Sequence, residues 1–207
     1  MSHIRAFIAI ELSPEIKQSI QVVTNSLFMK LKGYPVKSVL SAHIHLTLLF
    51  LGDILQSDLP KIELELSRVA AEYSPFDLFI KGIGVFPNYN KPRVIWIGFY
   101  GGPDGGKQIL HGLQGKIQQT VERFGFDVDQ REYNPHLTIG RINQNNAQMD
   151  LRQLGEVVKS EKVGELGLLH VNQFHLIRSE LRPSGPIYTR LATYSLKNQA
   201  KLDEDKK

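Results

Sequence analysis

One short pattern occurs twice in this chain and limits what the chain can fold into. The two copies are His45-Leu46-Thr47-Leu48 and His136-Leu137-Thr138-Ile139. For this composition, random placement would put a threonine two residues after a histidine only about 0.2 times, so two such similar copies indicate a shared purpose. Each copy lies in an apolar run, 44–51 and 136–139, which is typical of a β-strand.

The alternation of a strand decides what these residues can do together. Side chains at positions i and i+2 share a face, so His45 projects with Thr47, and His136 with Thr138. Imidazole titrates near pH 6.5, so at neutral pH one ring can be neutral while another is protonated. If the two pairs face each other, they provide an acid, a base and two hydroxyl donors for an anion. Two half-buried strand histidines bonded to backbone carbonyls are the alternative interpretation.

The order of predicted elements also repeats. Strand, helix, His-x-Thr strand, helix and strand occur in 4–85 and again in 93–196, which predicts an α+β fold with an internal duplication. We expect one bilobal domain over 1–196 and a frayed, charged tail over 197–207. An α+β chain that alternates its elements without being a repeat is the alternative. The predicted helices are 13–33, 58–73, 109–124 and 147–158, and the other predicted strands are 4–11, 76–85, 93–99, one or two within 163–181, and 187–196.

Composition excludes several classes of protein. The chain of 207 residues has no cysteine, which excludes a disulfide scaffold, a thiolate metal site and a cysteine nucleophile, and fits a cytoplasmic location. The net charge of +4 is compatible with an anionic substrate. The apolar run Ile4 to Ile10 is too short to span a membrane and has no basic leader, so we expect no membrane association. No long apolar helix face is left over, and we expect a monomer.

Several further stretches narrow the interpretation to one family. They are 5–10, 45–53, 84–87 with 92–98, 134–141, and 178–181. Together with the paired motifs, they resemble the 2H phosphoesterase superfamily, and within it the RNA 2′,3′-cyclic phosphodiesterases, historically called 2′–5′ RNA ligases. The resemblance covers Ile4 to about Leu196.

The resemblance implies a bilobal fold in which two antiparallel sheets flank a central cleft, with helices outside. It implies hydrolysis of a terminal RNA 2′,3′-cyclic phosphate to a 2′-phosphate, with no metal and no cofactor. His45 then matches the proton donor and His136 the proton acceptor, while Thr47, Thr138 and Arg141 match phosphate-binding residues. Strict alternation would turn Arg141 away from the cleft, so its family role requires a kink or bulge near Gly140.

Other residues are candidates for contact with RNA. Tyr89 lies in a loop rich in Pro and Asn and could stack on a base. Arg178, with Arg131 and Lys91, could form a basic rim, although scattered surface cations are the common alternative. The aromatic residues Phe50, Phe86 and Trp96 could also stack on a base, but we expect Phe50 and Trp96 in the core. We expect His43, two residues before the first motif histidine, at the rim of the cleft or in a structural role.

Three alternatives remain beside hydrolysis. The same two histidines could catalyse 2′–5′ RNA ligation or its reversal, with a 5′-hydroxyl in place of water. The chain could also bind RNA or a nucleotide without turning it over. A metal site on His43, His45 and His136 is conceivable, but neither motif contains a carboxylate.

Overall fold

The computed structural model describes residues 2–126, 131–143, 150–183 and 185–197. Within these ranges the chain forms helices and strands in the alternating order that the sequence predicts. The helices are α1 Pro14–Lys30, α2 Leu59–Ala71, α3 Gly106–Glu122 and α4 Leu151–Ser160. The strands are β1 His3–Glu11, β2 Val36–Ser38, β3 His45–Leu55, β4 Phe76–Phe86, β5 Val94–Tyr100, β6 His136–Ile142, β7 Glu165–Val171, β8 Gln173–Arg182 and β9 Gly185–Ser195.

The helix boundaries follow local chemistry. The Ser13 hydroxyl accepts a hydrogen bond from the Ile16 amide at 3.4 Å, and Pro14 takes the first helical position of α1, as predicted. The predicted fourth helix begins at 147, whereas α4 begins at Leu151 after the N-cap Asp150. Residues 147–149 of that prediction, and 198–207 of the predicted tail, lie outside the described residues.

The strands form two antiparallel sheets, which confirms the predicted α+β class. The first sheet has the order β3-β1-β8-β9, and the second has the order β2-β6-β5-β4-β7. The lobes are not the two sequence halves, because β8 and β9 join the first sheet, whereas β2 and β4 join the second. The hydrophobic core is one continuous cluster that includes residues of both sheets and of all four helices.

The first motif contains a β-bulge. Along the pairing of β3 with β1, Thr47 lies opposite Ala9 and Leu49 lies opposite Ile8, which leaves Leu48 as an extra residue. An extra residue reverses which side chains face which side of the sheet from that point on. Consequently Leu49 is buried, and the side chain of Phe50 is exposed on the opposite face of the sheet.

The second motif contains the same bulge. Along the pairing of β6 with β5, Thr138 lies opposite Trp96 and Gly140 lies opposite Ile95, so Ile139 is the extra residue. The bulge therefore falls at the fourth residue of both motifs. Because of it, Arg141 lies on the same face of the sheet as the motif side chains.

Close packing holds the helices against the sheets at two glycines. A Cβ atom on Gly140 of β6 would lie 2.9 Å from Cζ of Phe28, so α1 packs directly over that strand. A Cβ atom on Gly155 of α4 would lie 1.9 Å from the backbone oxygen of Tyr89, so α4 lies on the loop that follows β4. Within the described residues, no helix is long and apolar enough to cross a membrane.

Candidate active site

A cleft of about 480 Å³ lies between the two sheets. All five residues that the sequence predicts for catalysis and phosphate binding line it: His45, Thr47, His136, Thr138 and Arg141. The fold thus brings together two motifs that lie 91 residues apart along the chain.

His45 is oriented by its own backbone. Its Nδ1 lies 2.7 Å from the carbonyl oxygen of His43. A carbonyl can only accept, so Nδ1 carries the proton and Nε2 is free for proton transfer. The ring stacks on Phe7 at 4.8 Å between centroids and contacts the edge of Tyr188 at 5.4 Å. This burial lowers the pKa of His45 to about 4, against a smaller raising effect of the His43 carbonyl.

His136 has the same anchor in the second sheet. Its Nδ1 lies 2.7 Å from the carbonyl oxygen of Asn134, again two residues earlier, so its Nε2 is also free. The ring contacts Phe86 edge to face at 5.0 Å. Burial lowers the pKa of His136, and the positive charge of Arg141 lowers it further. The two imidazoles therefore present equivalent atoms to one cleft.

The cleft is electrostatically suited to an anion. Arg5, Lys37 and Arg141 contribute cationic side chains to its lining, and no described residue of the lining is an aspartate or glutamate. Lys37 and Arg141 are paired across β2 and β6, so two cations lie together at one end. Cations and hydroxyls without a competing carboxylate favour phosphate over a metal ion. Among the described residues, no group of three or more His, Cys, Asp or Glu could hold a metal.

A hydrogen bond ties the two motifs together. The Tyr133 hydroxyl, three residues before His136, donates to the carbonyl oxygen of Thr47 at 3.1 Å. Burial raises the pKa of Tyr133, so the phenol keeps its proton and remains a donor. The approach to the second motif is thus fixed to the backbone of the first.

Sequence reasoning missed part of the aromatic lining. Phe7 and Tyr188 both line the cleft, on β1 and β9. Phe50 was expected in the core, and that prediction is wrong: its side chain is 60% exposed and lines the cleft. The bulge at Leu48 is the reason, because it moves Phe50 to the face of His45. Trp96, also expected in the core, is half-buried outside the core clusters and packs over Gly84, where an added Cβ would lie 2.3 Å from its ring.

The other predicted contact residues lie away from the cleft lining. Tyr89 packs against the core beneath α4. Arg178 lies on β8 and forms an ion pair with Glu180, whereas Ser179, between them, lines the cleft. Lys91 and Arg131 are exposed elsewhere on the surface. His43 lines the cleft beside Tyr188, at 5.2 Å between ring centroids, which agrees with the predicted rim position.

Solved structures share this architecture. The protein TT0787 of Thermus thermophilus superimposes with a TM-score of 0.71 at 26% sequence identity, covering 94% of this chain and 99% of that one. Escherichia coli LigT complexed with 3′-AMP gives a TM-score of 0.75 at 23% identity, covering 95% of this chain and all of that one. The fold is therefore that of the LigT-like 2H phosphoesterases.

Sequence comparison gives the family. The model of the 2′-5′ RNA ligase superfamily matches residues 12–182. An RNA 2′,3′-cyclic phosphodiesterase of Methanothermobacter thermautotrophicus is 32% identical over 193 residues, which is 93% of this chain and 99% of the relative. The enzyme of the same name from Methanocaldococcus jannaschii is 35% identical over 185 residues, 89% of this chain and 96% of the relative. This chain belongs to the 2′-5′ RNA ligase superfamily.

Proposed function

We propose that this chain hydrolyses the 2′,3′-cyclic phosphate at an RNA 3′ end, leaving a 2′-phosphate, by metal-independent acid–base catalysis. One observation carries the proposal. His45 and His136 each have Nδ1 bound to a backbone carbonyl, and both rings line one cationic cleft. The names of the relatives, which are RNA 2′,3′-cyclic phosphodiesterases, support the substrate.

The reaction needs one base and one acid on opposite sides of phosphorus. His136 Nε2 takes a proton from water, and the water oxygen bonds to phosphorus opposite the 3′ oxygen. The bond from phosphorus to the 3′ oxygen breaks, and His45 Nε2 gives its proton to that oxygen. The products are a 3′-hydroxyl and a 2′-phosphate, and proton exchange with solvent restores both rings. Each acid or base contribution is typically worth about 100- to 10,000-fold in rate.

The non-bridging oxygens carry the negative charge through this step. The hydroxyls of Thr47 and Thr138 lie on the same strand faces as the histidines and donate to those oxygens. Arg141 contributes a charge-assisted hydrogen bond, which is roughly twice as strong as a neutral one. These donors stand in place before the reaction, so stabilising the transition state requires little reorganisation.

The substrate itself favours the protonation state that the reaction needs. Burial is the largest of the effects that lower the pKa of His45 to about 4, which disfavours the imidazolium at neutral pH. A phosphate anion in contact with the ring favours the imidazolium instead, because opposite charges within about 4–6 Å favour the ionised form. His45 is therefore charged most readily with its substrate in place.

The terminal nucleoside lies against the aromatic wall of the first sheet. Phe50 is exposed in the cleft, and Phe7 and Tyr188 lie behind it, with 6.0 Å between the centroids of Phe7 and Phe50. Stacking on an aromatic ring accepts any base. The arrangement supports recognition of an RNA end rather than of one sequence.

Product analysis tests the proposal. An oligonucleotide ending in a 2′,3′-cyclic phosphate is incubated with the protein in EDTA, and we expect a 2′-phosphate product. His45→Ala and His136→Ala should each lower the rate by at least about 100-fold. His170→Ala serves as the control, because His170 is exposed and pairs with Asp77 away from the cleft. A requirement for a divalent metal, or full activity in both motif variants, would refute the mechanism.

Ligation is the second candidate, because the matching family model is described by that activity. A 5′-hydroxyl RNA can replace water as the incoming group at the same two histidines. Adding such an RNA to the cyclic-phosphate substrate and resolving the products by size distinguishes the two. A ligated product that exceeds the hydrolysed one would make ligation the principal activity.

A further inference from the structure

Among the described residues, the strand partner of one motif histidine carries a carboxylate and the strand partner of the other does not. In the first sheet His45 is paired directly with Glu11 of β1, so the two side chains lie on the same face of the sheet, with Glu11 just outside the cleft lining. In the second sheet β5 takes the place of β1, and the residue paired directly with His136 is Gly98. The bulge lies three residues after the histidine in both sheets, so these two positions are equivalent.

Glu11 is held in place from two strands away. Arg190 of β9 donates to its Oε2 at 2.5 Å, although β8 lies between β9 and β1 in the sheet. On that intervening strand His175 is 1% exposed, and its Nδ1 lies 3.0 Å from the Thr193 hydroxyl. The ion pair thus bridges the sheet over a buried, hydrogen-bonded histidine, which fixes the carboxylate beside His45.

We propose that Glu11, fixed by Arg190, is a positioning residue that favours the protonated form of His45 and so makes His45 the proton donor. The inference rests on the proposed two-histidine hydrolysis. It gives the two rings, whose backbone anchors are the same, charged neighbours of opposite sign. In the second sheet, the positive charge of Arg141 favours the neutral form of His136, which is the form that a base requires.

Glu11 is the carboxylate that acts on this ring, and its charge raises the pKa of His45. The other charged or titratable groups on the surrounding described elements are His43, Lys17, His175, Tyr188, Arg190 and Arg5 and, across the cleft, His136, Lys37 and Arg141. His43 and Lys17 act in the opposite direction to Glu11. Directly paired residues are about 5 Å apart, and a unit charge at that distance shifts a titration by about 0.6 to 2.4 pH units for effective dielectric constants of 80 to 20.

Two variants that break the same ion pair separate this role from a structural one. In Glu11→Gln the carboxylate is lost, so the titration midpoint of His45 should fall by about 0.6 to 2.4 pH units. In Arg190→Gln the carboxylate remains without its neutralising partner, so the midpoint should not fall. Glu11→Asp keeps the charge and should preserve the wild-type midpoint more closely than Glu11→Gln.

The primary readout is the NMR titration of the His45 ring in the full chain, with inorganic phosphate present and absent. The second is the pH profile of kcat on a cyclic-phosphate oligonucleotide, which reports the enzyme–substrate complex and whose alkaline limb should move to lower pH in Glu11→Gln. Equal shifts in Glu11→Gln and Arg190→Gln, or an unchanged midpoint in Glu11→Gln, would overturn the inference. Hydrolysis by the wild type is scored separately, so failure of the proposed function is distinguishable from failure of this inference.

Discussion

Replacing Arg141 by glutamine tests the proposed contact between Arg141 and the phosphate. Arg141 lines the cleft next to Lys37 on the adjacent strand, and it is the cation that acts on His136. A hydrogen bond to a charged group contributes about 1.5–3 kcal/mol, which corresponds to about 10- to 150-fold in kcat/KM. Because Arg141 is exposed, solvent screens its charge, so we expect the lower part of that range, about 10- to 30-fold.

The same change has a second, independent consequence for pH. Arg141 lowers the pKa of His136, so its removal raises that pKa. In the proposed mechanism His136 is the base and must be neutral, and a higher pKa leaves more of it protonated at a given acidic pH. The acidic limb of the kcat profile, which reports the enzyme–substrate complex, should therefore move to higher pH in Arg141→Gln.

Steady-state kinetics on a cyclic-phosphate oligonucleotide measure both effects. Arg93→Gln is the matched control, because Arg93 is an exposed cation immediately before β5 and does not line the cleft. Arg141→Lys should recover part of the loss, since a lysine keeps the charge without the planar fork. Equal losses in Arg141→Gln and Arg93→Gln would show that only general surface charge matters, and would refute the assignment of Arg141 to phosphate.

Three further outcomes follow from the packing. Phe50→Ala should raise KM by about 5- to 150-fold, because stacking contributes about 1–3 kcal/mol per base. Leu181→Ala, at an exposed residue outside the cleft lining, should leave KM unchanged. Equal KM values in these two variants would contradict stacking on Phe50. Gly155→Ala should lower the melting temperature, since its Cβ would lie 1.9 Å from a backbone oxygen. Gly115→Ala in α3 is the control: its Cβ would meet nothing within 4 Å, so it should raise the melting temperature by about 2–4 °C. A higher melting temperature in both variants would contradict the packing of α4. Tyr133→Phe should destabilise the chain by about 0.5–1.5 kcal/mol in denaturant titration, through loss of its cross-motif hydrogen bond, and an unchanged midpoint would show that this bond adds nothing.

The sequence predicts where helices and strands lie better than it predicts the register in which the strands pair. Periodicity and capping located α1 at Ser13-Pro14, and the two motifs identified the strands that carry the histidines. Phe50 was placed in the core because strict alternation was carried past Leu48. A bulge depends on how a strand pairs with its neighbour, and pairing is a long-range property that no local pattern contains. Tyr188 was missed for the same reason, because β9 reaches the first sheet only through the tertiary fold.

The position of the bulge also explains how one motif serves two different walls. If the motif histidine is position i, strict alternation would turn the side chains at i, i+2 and i+4 of each strand toward the cleft. Because the fourth motif residue is extra, the third side chain to face the cleft comes from position i+5, which is Phe50 in β3 and Arg141 in β6. The same backbone device thus delivers an aromatic ring to one wall and a guanidinium to the other. A phosphate joined to its nucleoside is itself polar on one side and aromatic on the other, so a cleft that binds it requires two unlike walls around two equivalent imidazoles.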